Sequence, residues 1–340
     1  MNPPRICIVP KPFGVGGMVS FQARLVAGLA ERAIEVCFDL QDTTYDAVLI
    51  IGGTRKLAHL WRARQRGIPI VQRLDGMNWL HRRRRTGLRH FLRAETGNWL
   101  LAFIRTRLAN RIVYQSDFSR RWWEQVRGTT RVPYGVIYNG VDLQIYRPTS
   151  QPGQINGSYR LLLVEGSLGG GYELGLEHAL NLAERLSKDH HLAVEIMVVG
   201  RVDPRLQAYW NSLTGTSIRW AGQVPQEKIP EIDRSAHLLF SADLNPSCPN
   251  AVIEAIACGL PVVAFDTGAL PELVQSDSGR VVPYGGNPWR LEPPNLDGLA
   301  QAAAEILANQ GHFRMAARAR AEAMFGLDKM IEGYLNILIP

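Results

Sequence analysis

Asn250 and Glu254 stand four residues apart in the stretch FSADLNPSCPNAVIEAIACGLPVVAFDTGALPEL, residues 240–273. That spacing sets an amide and a carboxylate on one face of a helix, one turn apart. A carboxylate accepts hydrogen bonds from ribose or sugar hydroxyls, and an amide at the start of a helix lies close to any anion held there. The helix is expected to open with Ser247 or Cys248 as its cap and Pro249 in its first turn, where a missing N–H costs nothing. The N–H groups of Asn250, Ala251 and Val252 at the helix start, together with the helix dipole, favour a phosphate. Gly259 suits the left-handed residue past the last turn, Pro261 blocks continuation, and a buried strand flanks the unit on each side, at 237–242 and 261–265. In an open parallel sheet the carboxyl end of the first strand faces a ligand crevice. A capped core helix with Glu254 in a structural ion pair would carry the same residues.

The 340 residues suggest two domains. With 46% hydrophobic and 20% charged residues the chain has the composition of a folded soluble protein. It holds no apolar run approaching the roughly 18 residues that span a bilayer. The opening MNPPRICIVPKPFG lacks the regions of a signal peptide, so a cytoplasmic location is expected. Cys7, Cys37, Cys248 and Cys258 are scattered, without metal-ligand spacing, and read as reduced thiols. Cys248, at a helix start, would have a lowered pKa unless burial dominates. The net charge of +7 is carried mostly by arginines of the first half, which suit nucleic acid, anionic lipid or a phosphorylated substrate, or simply solvated helix faces.

The elements that must position these groups alternate along the chain. Residues 5–10 form an apolar run, followed by a turn with Gly14, Gly16 and Gly17 and an amphipathic helix over 21–36. The glycines allow close backbone approach. Their spacing is not GxGxxG, and only Glu35 or Asp39 stands near the place of a ribose-binding acid, so NAD is not expected. Strands are expected at 46–53, 68–74, 110–116 and 134–141, with helices at 55–66 and from Asp117, which Asp117 or Ser116 can cap. Polar residues 149–159 read as a linker. The alternation restarts at 160–166, 193–200, 217–224, 237–242, 261–265 and 278–285, with a short helix opened by residues 224–227. The helical tail 296–339 ends in LDKMIEGYLNILI, too apolar to hang free. The fold class is therefore α/β, with two Rossmann-like, doubly wound parallel-sheet domains facing a cleft.

CPNAVIEAIACGLPVVAFDTGALPELV (248–274), VIYNGVDLQIYRP (136–148), GGM (16–18) and VVGR (198–201), in this order and separation, resemble the retaining glycosyltransferases of family four. The resemblance implies the GT-B fold. Residues 1–150, with a C-terminal helix (326–340) crossing back, would form the acceptor side, and residues 158–325 the domain for a nucleotide-diphosphate sugar of UDP or GDP type. No cofactor and no metal is implied. Glu254 matches the second glutamate of the E-x7-E motif, which binds the ribose. The backbone at Cys248, Pro249, Asn250, Ala251 and Val252 would lie by the sugar and phosphates, and Gly16 and Gly17 would close over the diphosphate.

Three departures qualify the match. The first glutamate falls at Pro246, with Asp243 or Asn245 as substitutes. The basic residues expected within EGSLGGGYEL (165–174) are absent, leaving backbone N–H groups around Gly166 and the glycines 169–171 as an anion nest, and Arg201 or a first-domain arginine for the charge. The usual His-Asp reads Leu74-Asp75, which keeps Asp75 at the cleft edge. Asp75 and Asn245 are the catalytic candidates. Glu272 and Gly268, in the following loop, are assigned to the donor.

Trp79 with Arg82, Arg83, Arg84 and Arg85 would dock a phosphorylated lipid-linked or glycan acceptor, or the anionic inner face of a membrane; a solvated loop would carry the same charges. Nucleic acid is not expected, since no reading motif accompanies the charge. Trp122 and Trp123 read as packing residues, Asn139 and Asp142 as turn formers. Two functions follow from the resemblance. One is a retaining transferase acting by front-side displacement, with the leaving diphosphate stabilised electrostatically. The other is a catalytically inactive GT-B protein that binds sugar or a partner transferase.

Overall fold

A computed structural model describes residues 3–14, 16–42, 44–84, 87–149, 157–168 and 173–339. Arg85, the glycines 169–171 and most of the expected linker, 150–156, lie outside the described residues. By internal packing the chain divides into two units, Met1–Gly140 with Gly326–Pro340, and Val141–Phe325.

The apolar runs of the first unit become parallel strands β1 (Arg5–Val9), β2 (Glu35–Cys37), β3 (Ala47–Ile51), β4 (Ile70–Leu74), β5 (Arg111–Tyr114) and β6 (Tyr134–Val136), ordered β2-β1-β3-β4-β5-β6. Successive strand residues point to opposite faces. Ile6, Ile8, Leu49 and Ile51 accordingly join one core, and Cys7, Val9, Val48 and Ile50 another. Helices cover both faces, so β3 (AVLII) is apolar throughout and β1 nearly so, rather than alternating. α1 (Gly17–Ala30) adds Phe21, Leu25 and Leu29 to the first core, and α2 (Leu57–Gln65) adds Leu60 and Ala63 to the second. α3 (Leu88–Phe103) runs into a wide π turn, Ile104–Leu108. α4 (Asp117–Arg127) is capped by Ser116, whose hydroxyl accepts the Ser119 N–H at 3.1 Å.

The helix expected over 21–36 ends early. Ala33 takes a left-handed φ of 55°, the Ile34 N–H closes onto the Leu29 carbonyl at 3.0 Å, and residues 35–37 pair with β1 as an edge strand.

The second unit holds β7 (Tyr159–Ser167), α5 (Glu173–Asp189), β8 (Val194–Arg201), α6 (Pro204–Leu213), β9 (Ser217–Gly222), α7 (Ile229–Ser235), β10 (Leu238–Ser241), α8 (Asn250–Ala257), β11 (Val262–Phe265), α9 (Leu270–Leu273), β12 (Gly279–Val282), α10 (Leu296–Ala308) and α11 (Gln310–Met324). Its strands are parallel, in the order β12-β11-β10-β7-β8-β9. Winding proceeds outward in both directions from β7 and β10. Leu161, Leu163, Ile196, Val198, Leu238, Phe240, Val263 and Phe265 pack on α5 and α10 as the main core. As the sequence implies, each unit is a doubly wound α/β domain with a parallel sheet.

The last helix, α12 (Leu327–Leu338), belongs to the first unit. Its Met330, Ile331, Tyr334 and Leu338 join the core of Ile6, Phe21 and Leu25. Gly28 on α1 makes room for it, since a Cβ there would stand 2.7 Å from the Ile331 side chain. Gly140 does the same where NGVD meets the helix start, because a Cβ at that position would lie 3.0 Å from the Gly326 carbonyl oxygen. Asn139 accepts from the buried Arg73 guanidinium at 2.9 Å. Truncating Ile331 to Ala is expected to destabilise the first unit by about 2–5 kcal/mol. Denaturant unfolding monitored on that unit checks this.

Candidate functional site

Open parallel sheets bind ligands outside the strand carboxyl ends, where the winding reverses. In the second unit that place lies between β7 and β10. Leu161 and Leu162 of β7 register with Leu238 and Leu239 of β10, so both strands run out at the same edge. There Glu165 and Gly166 lie near the end of β7, and Asp243 follows β10. The neighbouring β8 ends in Gly200 and the exposed Arg201. Gly200 has φ 134°, and a Cβ there would fall 1.9 Å from the Glu165 carbonyl oxygen, so the bulged end of β7 depends on a glycine. Burial, then the neighbouring Asp243 charge, push the Glu165 carboxyl up to about 8. Burial also pushes Asp243 up to about 6, opposed by a backbone N–H. Both carboxyls therefore keep their protons to higher pH than ordinary carboxylates do.

The loop after β10 is shaped by close packing. Asn245 is buried with φ 57°, and its Nδ2 has no hydrogen-bond partner. The Pro246 carbonyl accepts the Ala269 N–H at 2.8 Å. Gly268 has φ 60°, and a Cβ there would stand 2.4 Å from the Pro246 nitrogen. The glycine at 268 is thus required by the protein's own backbone. Thr267, beside it, is buried with an unpartnered hydroxyl.

α8 begins one residue later than the spacing suggests. Pro249 is its N-cap residue, and no side chain caps the helix, so neither Ser247 nor Cys248 plays that part. The first intrahelical bond, from Ile253 N–H to the Pro249 carbonyl, is 3.4 Å long. Asn250 and Ala251 are half-buried, whereas Cys248 and Val252 are buried, Val252 in the core. At the other end Gly259 takes the left-handed conformation, φ 70°. The Arg318 guanidinium donates to the Ala257 carbonyl at 2.9 Å, placing a cation at the negative end of the helix.

Glu254 is 6% exposed and lies among buried groups. Asp233 of α7 is 1% exposed, and its carboxyl is raised well above the usual carboxylate range by burial and then by the Glu254 charge. Asp233 Oδ2 has no hydrogen-bond partner. Sequence reasoning missed this neighbour. Its one signal was an acid at helical spacing from Ile229 and Pro230, on the face that the helix buries. Glu272 lies on the four-residue α9, where its carbonyl accepts from Arg320 at 2.7 Å.

In the first unit the winding reverses between β1 and β3. Gly16, with φ 142°, precedes Gly17 at the start of α1, again without a side-chain cap. Space around Gly16 is open, with nothing within 4 Å of a Cβ. Asp75 follows β4. Its carbonyl accepts the Trp123 indole N–H at 2.7 Å and the Ser119 hydroxyl at 3.1 Å, so the fully buried Trp123 holds this turn. Burial raises the Asp75 carboxyl, partly offset by Arg73. Trp79 and Arg84 are half-buried and Arg83 is exposed, while Arg82 grips Glu95 with two bonds of 2.6 and 2.8 Å.

Gly166, Arg201, Asn245, residues 248–252, Glu254, Gly268 and Glu272 thus belong to the second unit, most of them along the carboxyl edge of its sheet. Gly16, Gly17, Asp75, Trp79 and Arg82–Arg84 belong to the first. Among the described residues no three His, Cys, Asp or Glu side chains form a metal-binding group, and no helix is long and apolar enough to cross a membrane.

The family described as "Glycosyl transferases group 1" matches residues 160–309, from β7 to the end of α10. No curated protein matches the chain in sequence. Solved structures match it over nearly its full length. Sucrose-phosphate synthase from Thermosynechococcus elongatus superposes with TM-score 0.74 at 13% identity, covering 98% of each chain. WaaG, a glycosyltransferase involved in lipopolysaccharide biosynthesis, does so with TM-score 0.72 at 15% identity, covering 98% of this chain and 99% of its own. Anabaena HepE in complex with UDP-glucose gives 0.69 at 16% identity, with the same coverage. The chain therefore has the GT-B fold, and its residues 160–309 are similar to the glycosyl transferases group 1 family.

Proposed function

We propose that this protein is a glycosyltransferase that moves a sugar from a nucleotide-diphosphate sugar of UDP or GDP type to a hydroxyl of a glycan or lipid-linked saccharide, with retention at the anomeric carbon. The observation that carries the reading is the carboxyl edge of the second unit. There the uncapped start of α8, a glycine-bearing strand end and Arg201 lie in the segment that matches the family, with Glu254 one turn into α8. The N–H groups of residues 250–252 and the helix dipole offer the diphosphate its partners. Glu254 is assigned to the ribose hydroxyls, and Gly166, Glu272 and the turn at Gly268 border the donor. The complexes with UDP-glucose known for Anabaena HepE support this choice of ligand class. Asp75, Gly16 and Gly17, in the first unit, are assigned to the acceptor and diphosphate. Asn245 is the catalytic candidate on the donor side.

On this reading the departing diphosphate oxygen takes the acceptor proton on the face where the sugar leaves, and the protein supplies electrostatic stabilisation rather than a nucleophile. NMR of the product is expected to show the donor's anomeric configuration retained, and EDTA is expected to leave turnover unchanged. An inverted product, or loss of turnover on chelation, would contradict those parts of the proposal. A second reading rests on Pro246. It stands where the family has its first glutamate, and it is buried against Gly268, so no acid reaches the sugar from that position. Nucleotide-sugar binding without transfer to any hydroxyl would favour this non-catalytic reading.

A further inference from the structure

The first two turns of α3 stand clear of the core. Every residue from 87 to 93 is exposed, whereas the later Ala94, Asn98 and Leu100 anchor the helix. At 3.6 residues per turn, Leu88, Phe91, Leu92 and Trp99 fall within one stripe about 100° wide. They are 74, 39, 54 and 58% exposed. Large apolar residues in one exposed stripe mark an interaction surface rather than ordinary scatter. Glu95 lies within the stripe. Its carboxylate is held by Arg82 and by the buried His81, at 2.7 Å, and these contacts drop it to about 2. The one acid in the stripe is therefore already paired. Arg89 and Arg93 flank the stripe on one side, and Arg83 precedes it. All three are exposed, and none makes an ion pair among the described residues.

We infer that this face of α3 docks on an anionic lipid surface, with Leu88, Leu92 and Trp99 entering the headgroup boundary and Arg83, Arg89 and Arg93 meeting lipid phosphates. An apolar stripe flanked by arginines is the pattern of a helix lying in the plane of a membrane interface. A protein partner for so basic a rim would need its own acidic surface, which the exposed leucines and tryptophan do not call for. The surface does not depend on the donor site, so its test and that of the transferase reading are separate.

The full chain is sedimented with vesicles of phosphatidylcholine alone, and of phosphatidylcholine and phosphatidylglycerol in equal parts. Binding to the second only, weakening with added salt, is expected. Arg83→Glu with Arg89→Glu and Arg93→Glu should lower the affinity about a hundredfold, from roughly fivefold per arginine removed. Leu88→Ser with Leu92→Ser should lower it more than tenfold while leaving circular dichroism and nucleotide binding unchanged. Binding that ignores both sets of substitutions, absence of binding to anionic vesicles, or self-association abolished by the leucine substitutions without lipid would each overturn the proposal.

Discussion

Glu254→Gln is expected to weaken nucleotide binding by about 10- to 100-fold while leaving the fold as stable as before, or more so. The substitution keeps the side-chain volume and removes the charged acceptor. Hydrogen bonds to charged groups are worth about 1.5–3 kcal/mol, and that loss should appear almost entirely in affinity. The stability side of the prediction comes from Asp233. Burial and then the Glu254 charge raise this carboxyl, so a neutral residue at 254 eases the ionisation of Asp233 without leaving a gap between α7 and α8. A purely structural Glu254 predicts the reverse pattern, with a lower melting temperature and unchanged affinity. Calorimetry of UDP and GDP binding, alongside thermal unfolding, separates the two.

The second large effect is a pH dependence seated in Glu165 and Asp243. A carboxyl raised in the folded state binds more protons there than in the unfolded chain, so its stabilisation is fully present below the ordinary range and fades as pH rises. For Glu165 the window runs from its usual 4.5 to about 8. At about 1.4 kcal/mol per pKa unit, discounted for the part of the side chain that water reaches, the loss amounts to roughly 2–4 kcal/mol. Glu165→Gln should flatten this slope, and its advantage over the wild type should grow from pH 6 to pH 9. The same substitution should protect nucleotide affinity above pH 8, where two ionised carboxylates would otherwise face the diphosphate. Melting temperatures and dissociation constants measured across that range test both parts. Parallel pH profiles for the two proteins would show that the pair holds no proton.

How much of this was legible beforehand depended on whether neighbours in space were neighbours in the chain. The strands could be read because both sheet faces are covered, which makes runs such as AVLII and VVAF apolar throughout. The strand–loop–helix–strand unit around α8 was legible for the same local reason, with Gly259 and Pro261 fixing its end. The edge strand β2 was not. Three residues with a polar first position, following a helix directly, carry no period of their own. The cap of α8 was misplaced because Ser247 has the right chemistry, while the packing of Pro246 on Gly268 sets where the helix starts. Glu165 and Asp243 lie far apart in the sequence and meet only because the winding reverses between β7 and β10. Asp233 reaches Glu254 through the packing of two helices, which spacing within either one does not reveal. Of the docking surface on α3, Arg83 stood out in the sequence as part of a basic run, whereas Arg89, Arg93 and the exposed leucines did not.

The central claim is that the second unit binds a nucleotide-diphosphate sugar at the start of α8. The most direct measurement is isothermal calorimetry of the wild type and of Glu254→Gln against UDP, GDP, ADP and their common sugar conjugates. One base should bind to the wild type at submillimolar concentration, with its diphosphate far ahead of its monophosphate, and Glu254→Gln should lose most of that affinity. Absence of binding to every nucleotide, or binding indifferent to the substitution, would contradict the assignment of this edge as a donor site.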